Sequence, residues 1–588
     1  YIHMTEIKKL KEKSTIDLNK FSSKDNILAI AKLMVFFSIL FIFYLISTND
    51  IKILYYIELL LIVTFFVLLN ISSKISSKIL FIKNKILVCN EVDEKYINKT
   101  YENNYNLHEY CLDLDIVGKN SLLAYLDKTQ SKSAFIKLEH DLLNVTIEKD
   151  KITEKQNAIQ ELASKIEWCI EYLTTAKKNE SNYEFKFLSF DEKFKNLKKI
   201  IWLFSILNFI TVMWFVFLPL SFYSISLLLF PISIYIIFYF LYKRKIKNQF
   251  KIANFSAKRV VVFQELLMII EKENFSSKKL IELKKALYNK DHSASSSINK
   301  LYKLLDLYEN RRIPVIGLLA NIIFLWDLQV SIKIESHLKK INSEINTWLN
   351  VLSEIEATIC FGIYAYKNKN YVYPKISDKK GFYNFCDIIH PLIDNETGVK
   401  NDLFIQNRNS ISIVTGANMT GKSTFLRTIG ANLVLAMNGC PVPAKEFEFY
   451  PSNIFSSMRT NDSLFEGSSY FNAEITKLKR LIDKLNNGEY QFIILDEILK
   501  GTNSVDKLNG SKLFIEKLIH NKTDLTCIIA THDIDLTKMA NEYEENISNL
   551  CFELHNFNGE LTPDYKLRKG VTTSMNAIRL MREYKIID

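Results

Sequence analysis

Residues Ser412 to Arg427 read SIVTGANMTGKSTFLR, and this stretch decides the fold. Its β-branched run Ile413-Val414-Thr415 predicts a strand, Gly416-Ala417-Asn418-Met419-Thr420-Gly421 predicts a turn, and Lys422, Ser423 and Thr424 stand where a helix should begin. The spacing G-x-x-x-x-G-K-[ST] in a strand-loop-helix context is that of a phosphate loop. The glycines would let backbone N–H groups close around β- and γ-phosphates, and the helix N-terminus adds partial positive charge. The predicted nucleotide-binding set is Gly416, Asn418, Met419, Gly421, Lys422, Ser423 and Thr424. Lys422 would neutralise phosphate charge, and the Ser423 hydroxyl is a hard oxygen ligand suited to Mg2+. The alternative, an ordinary glycine turn, is disfavoured by the position between an apolar strand and a helix.

Working outward, Gln491-Phe492-Ile493-Ile494-Leu495-Asp496-Glu497 reads as an apolar strand closed by two carboxylates, as a phosphate-loop ATPase requires. Asp496 would hold Mg2+ through water, and Glu497 would orient and deprotonate the attacking water. A third strand, Leu525 to Ala530, ends in Thr531-His532-Asp533, where His532 is placed to sense a γ-phosphate. Taken alone, such a histidine is more often an ordinary strand-end residue; beside the other two strands the sensor role is favoured.

At 588 residues the chain is too long for one core. The net charge of +11 fits either nucleic acid or an anionic membrane surface and does not choose between them. Eight cysteines show no C-x-x-C pairing and no metal-ligand spacing, so free thiols in a reducing cytoplasm are expected, with no metal cluster.

Leu33–Ser47 and Ile53–Ile71, linked by Thr48–Lys52, are apolar runs near bilayer-spanning length, and Glu58 is the one acid inside them. Ile200–Leu218 and Phe222–Tyr242, turning at Pro219, form a second such pair with no charge between Lys199 and Lys243. Lysines and Arg244 flank both pairs on their outer sides, whereas the short connecting loops hold only Lys52. By the positive-inside rule both hairpins enter from the cytoplasm, which predicts a multi-pass protein of the cytoplasmic (inner) membrane with four transmembrane helices.

The expected division is a cytoplasmic N-terminal segment (1–26), transmembrane hairpin 1 (27–72), a first cytoplasmic helical core segment (73–198), transmembrane hairpin 2 (199–242), a helical lever or second core segment (243–370) and a P-loop ATPase domain (371–588). The fold class is therefore mixed: an α-helical core and lever region with two transmembrane hairpins, followed by a C-terminal α/β domain. Helical periodicity is expected over Ile152–Leu173, Val260–Ile270 and Ile298–Leu307, with Ser293–Ser297 read as a link and Ile313–Trp326 as a buried core helix too short to span.

TGANMTGKST (415–424), DSLFEGSSYFNAE (462–474), ILDEILKGTNS (494–504) and ATHD (530–533), in this order, resemble the MutS ATPase family, relatives of the ABC ATPases. The likeness reaches His390-Pro391-Leu392 and Asn401-Asp402 upstream, and Tyr565-Lys566-Leu567 to Gly570 and Asn576-Ala577 downstream. A weaker likeness to the family's helical core lies in Asp127–Thr129, Gln156–Leu162 and Trp326–Leu328, and the hairpins make the chain similar to the membrane-associated MutS-like branch. The resemblance implies ATP and Mg2+ as cofactors, hydrolysis at composite sites of a homodimer, and Ser469 reaching in trans to the partner's nucleotide. It also implies double-stranded or branched DNA as a partner.

Two departures weaken mismatch reading. Hairpin 1 occupies the place of the family's N-terminal reading domain with its Phe-x-Glu wedge, Phe263-Gln264-Glu265 being a chance match within an amphipathic helix, and hairpin 2 stands where a DNA clamp would project. Two functions are carried forward: a membrane-anchored ATPase coupled to DNA, and a membrane-remodelling or signalling ATPase with no DNA substrate. A transporter is disfavoured by the short outer loops and single mid-span charge.

Overall fold

The computed structural model describes residues 5–49, 51–96, 108–178, 257–289, 292–309, 326–458, 470–500, 503–557 and 560–572, with isolated positions between 202 and 241. Helices α1 (Thr5–Thr48) and α2 (Lys52–Asp93) form an antiparallel hairpin joined at the expected link. Both are long and apolar enough to cross a membrane, and none of their most apolar window is buried within the protein. Large side chains such as Phe37, Phe41 and Phe66 point outward, a surface that water does not favour.

Neither helix stops where the composition changes near residues 27 and 72. Each continues as one rod into the helical core, where Ile7 and Leu10 of α1 and Val88, Cys89 and Val92 of α2 are buried. At the polar edge of the apolar half, Lys32 Nζ donates to Ser72 Oγ across the hairpin at 2.8 Å. Hairpin 2 lies outside the described residues apart from isolated helical positions such as Trp202 and Ile237.

The helical core comprises α3 (Leu122–Leu126), α4 (Lys132–Leu143), α5 (Lys149–Ser164), α6 (Ile166–Ala176), α7 (Ala257–Lys272), α8 (Lys278–Lys285), α9 (Ala294–Glu309) and α10 (Trp326–Lys367). The continuous helix expected over 152–173 is two helices, because Lys165 leaves helical geometry at φ −108°, ψ 44°. Its ammonium there holds Glu161 at 3.2 Å and Glu273 at 2.6 Å. The Ser293–Ser297 link is corrected as well: Ser293 Oγ accepts from Ser296 N at 3.3 Å, so these serines start α9 instead of separating helices. Of the apolar run 313–326, all but Trp326 lies outside the described residues. Phe263 is buried in the core and Glu265 pairs with Lys178 at 2.7 Å, which gives the Phe-Gln-Glu tripeptide a packing role.

The 42-residue α10 is the spine of this region. In its C-terminal half the buried Glu356 carboxylate accepts from Gln130 N (2.6 Å), Ser131 N (2.9 Å) and Ser131 Oγ (2.9 Å), and so caps α4 from 225 residues away. Truncation would leave these donors buried and unpaired. Glu356→Ala is expected to destabilise the helical core by about 3 kcal/mol, read as faster amide exchange across α4; unchanged protection there would contradict the assignment. At its C-terminal end α10 grips the α1–α2 hairpin. Tyr366 Oη donates to Glu6 Oε2 (3.2 Å), and Lys367 Nζ donates to the Val92 carbonyl of α2 (2.9 Å).

Beyond α10 the chain turns α/β: β1 (Lys375–Ile376), β2 (Tyr383–Ile388), β3 (Asn401–Ile405), β4 (Ser410–Thr415), α11 (Lys422–Met437), β5 (Glu446–Phe449), β6 (Asn453–Ser457), α12 (Tyr470–Asn486), β7 (Gln491–Asp496), α13 (Ser504–Ile519), β8 (Leu525–Thr531), β9 (Ile547–Phe557) and β10 (Glu560–Lys569). The smaller sheet has the order β1-β5-β2-β3 and the larger β10-β9-β4-β8-β7-β6. All neighbours in the larger sheet are parallel except β9 and β10.

Alternation along its strands explains the continuous apolar runs. Ile411, Ile413, Ile493, Leu495, Cys527 and Ile529 face one core with α12 and α13, whereas Val414, Phe492, Ile494, Ile528 and Ala530 face another with α11. Both faces are thus covered, as parallel sheets require.

Candidate functional site

The larger sheet inserts β8 between β4 and β7, so the chain segments after all three strands emerge side by side. Thr415 pairs with Thr531, and Asp496 with Ala530, which sets the strand ends level. The turn after β4 needs its glycines. Gly416 sits at φ +155°, where a Cβ would lie 2.8 Å from Thr420 Oγ1 and 2.9 Å from the Phe552 carbonyl oxygen; Gly421 sits at φ +103°. Met419 is left-handed without that freedom (φ +64°) and its side chain is 91% exposed, a conformation that costs about 1–3 kcal/mol and is typical of working loops.

Lys422 opens α11 and folds back, donating to the carbonyl oxygens of Gly416 (2.8 Å) and Ala417 (2.9 Å). It is buried, and burial pushes its ammonium below the ordinary lysine value against the pull of Asp496 and Glu497. Beside it, Ser423 Oγ donates to Asp496 Oδ2 at 2.6 Å. The two residues expected to share a metal ion therefore touch although 73 positions separate them. A hydroxyl and a carboxylate form a hard oxygen donor set that suits Mg2+. Asn418 and Thr424 are exposed at the rim, while Ser469 lies outside the described residues.

Glu497 leaves β7 at φ +59°, tied by its own N–H to the Ala530 carbonyl (2.9 Å). Leu499 is also left-handed, and the buried Glu474 of α12 supports that bend by accepting from Leu499 N at 2.6 Å. Burial pushes the Glu497 carboxyl up, but the bond and charge of Lys507, with Lys500 and His532, outweigh it and hold the group below its usual range. His532, exposed at the end of β8, has its imidazole lowered by desolvation and by Lys422, against Glu497 and Asp496. It is therefore neutral at pH 7 and can give or take a hydrogen bond.

Lys422, Ser423, Asp496, Glu497 and His532 thus lie at or just beyond the ends of three neighbouring strands. Sequence reasoning misses Lys507 and the place of Tyr565 beside the turn. Lys507, in the first turn of α13, contacts Glu497 at 3.2 Å, and a cation there opposes the helix dipole, which is the signal that could have pointed to a carboxylate partner. The Tyr565 ring stands 3.1 Å from where a Cβ on Gly421 would be, is partly exposed, and is anchored through its backbone by Asn401 Nδ2 (3.0 Å). Among the described residues no group of acids, cysteines and histidines is arranged to hold a metal cluster.

An open, mainly parallel α/β sheet with polar residues gathered beyond the carboxyl ends of its central strands defines the class. Residues 412–585 match the family model described as MutS domain V. Proteins named DNA mismatch repair protein MutS are similar: that of Wolbachia pipientis wMel is 30% identical over 295 residues, covering 50% of this chain and 32% of that protein. The one from Fusobacterium nucleatum subsp. nucleatum is 32% identical over 224 residues (36% and 24%), and that of Ehrlichia chaffeensis is 30% identical over 245 residues (41% and 30%). Residues 412–585 are thus similar to MutS domain V, and the chain is similar to these MutS proteins over at most half of its length. It spans about a third or less of the length of these curated relatives.

Proposed function

We propose that the chain is a membrane-anchored ATPase that binds and hydrolyses MgATP at sites shared between two copies, coupled to DNA. The observation that carries this reading is the Ser423–Asp496 hydrogen bond beside the buried Lys422, at the mouth of a glycine turn. Lys422 now spends its donors on loop carbonyls, and phosphate oxygens would take their place. Ser423 and Asp496 would hold Mg2+, which supplies charge neutralisation across the phosphates. Glu497 would take the proton of the attacking water at its carboxylate, and neutral His532 would orient the terminal phosphate through a ring nitrogen. Tyr565 offers an apolar ring beside the turn for a base to stack on. Ser469 of a second copy would complete each site, with Asn503 and Ser504 near the seam.

The exposed apolar halves of α1 and α2 support the membrane anchor, and hairpin 2 extends it to four spans in this reading, with the ATPase domain in the cytoplasm. Partners of that kind, a bilayer and DNA, are tested together by measuring ATPase rate of the nanodisc-held protein with duplex, mismatched and branched DNA across a salt series. Stimulation that fades steeply as salt rises is expected, because phosphate contacts release counterions. A rate indifferent to every DNA would favour the second reading, membrane remodelling or signalling, which the unbroken passage of α1 and α2 into the helical core supports.

A further inference from the structure

Glu497 is poorly fixed by its own backbone. Its left-handed φ restricts the first side-chain torsion but not the two beyond it, and the carboxylate is only partly buried. Its orientation must come from neighbours. Two lysines supply contacts: Lys507 Nζ lies 3.2 Å from Oε1, and Lys500 Nζ lies 3.6 Å from Oε2.

These lysines are not equivalent. Lys500 belongs to the irregular segment after β7, adjoining residues 501–502 outside the described set, whereas Lys507 belongs to α13. The first turn of α13 is locked, with the Asn503 side chain accepting from Asp506 N at 2.8 Å, and the rest of the helix is held by buried Ser511, Ile515 and Leu518. Lys507 also faces Asp533 Oδ2 at 3.7 Å, beyond His532 at the end of β8, and that oxygen is buried and has no hydrogen bond among the described residues. With 18% of its side chain exposed, Lys507 is the more enclosed of the two cations.

We infer that Lys507 is a positioning residue for hydrolysis: its ammonium bridges Glu497 and Asp533, the acids following two adjacent strands, and so fixes where the base points. The inference rests on the proposed reading of Glu497 as the base. It places Lys507 outside nucleotide binding, since Lys422, Ser423 and Asp496 make their contacts without it. Loss of the bridge would leave Glu497 with the longer Lys500 contact alone, on a segment that lacks a helical frame.

The test is steady-state ATPase kinetics of the full chain in nanodiscs for Lys507→Met and Lys507→Arg, with binding of a fluorescent ATP analogue measured in parallel. For Lys507→Met, kcat is expected to fall about 10- to 100-fold, the scale of a base displaced by roughly 1 Å, while KM and analogue affinity stay within about twofold. Lys507→Arg should recover most of kcat, because it restores a cation on the same helix. Adding Lys507→Met to Glu497→Gln should cost little further, since the two act as one unit.

A wild-type kcat in Lys507→Met, or a loss shared equally with analogue affinity and not recovered by Lys507→Arg, would overturn the proposal. Glu497→Gln alone separates the two levels. Should it turn over normally, the base reading fails and the positioning role with it; should it be inactive while Lys507→Met is wild type, only the positioning role fails.

Discussion

Glu497→Gln protein is expected to bind ATP about as tightly as the wild type and to hydrolyse it at least about 100-fold more slowly, the scale set by removing a general base. The amide is nearly isosteric with the carboxylate, so the φ +59° corner and the Glu497 N–H to Ala530 carbonyl bond should persist. What is lost is the ability to take a proton. Nucleotide would then remain bound and hold two copies closed, so the variant should accumulate as an ATP-dependent dimer in sedimentation or light scattering. Normal turnover in this protein would remove Glu497 from the mechanism.

Lys422→Ala should fail one step earlier. The ammonium is buried at the start of α11 and already bonded to two loop carbonyls, so its donors point into the turn where phosphates are proposed to sit. Charge-assisted hydrogen bonds of this kind are worth about 1.5–3 kcal/mol each, so affinity for MgATP should fall roughly 10- to 150-fold. Fluorescence titration with an ATP analogue reads this directly. Unchanged affinity would contradict the phosphate-loop reading. The two variants divide the site by role: one loses binding and the other keeps binding but loses chemistry.

The strand, glycine turn and helix over 410–437 were legible because each uses a residue type that local geometry nearly dictates. β-Branched residues suit a strand, glycines suit positive φ, and a lysine with two hydroxyls marks the helix start. The apolar runs ending in Asp496 and Thr531 were legible for a related reason: strands buried on both faces read as uninterrupted hydrophobic sequence. That the strand ending at Thr531 lies beside the other two was an expectation that the observed register bears out.

Other features depend on distant partners that no local pattern contains. Glu356 caps a helix 225 residues away, and Lys507 finds its carboxylates only once α13 packs against β7 and β8. Composition also misled at the ends of elements. Three of the serines from 293 to 297 look like a linker yet lie within α9, and the polarity change near residues 27 and 72 looks like a boundary yet leaves α1 and α2 unbroken. Polarity reports the surroundings of a helix, not where its hydrogen-bond ladder stops.

That unbroken pair fixes a distance. From Leu10 to Ile27 on α1, and from Ile71 to Val88 on α2, the rods advance 17 residues between the helical core and the apolar half, about 25 Å at helical rise. The screening length at physiological ionic strength is about 8 Å. With the apolar halves seated in a bilayer as proposed, the anchors Leu10 and Val88 stand about two screening lengths beyond the headgroup layer. The charge of the lipid surface is then almost extinguished before it reaches Asp496, Glu497 or Lys507. Lipid composition would influence ATP turnover through thickness or tension transmitted along the rods, and vesicles differing only in headgroup charge should support the same rate.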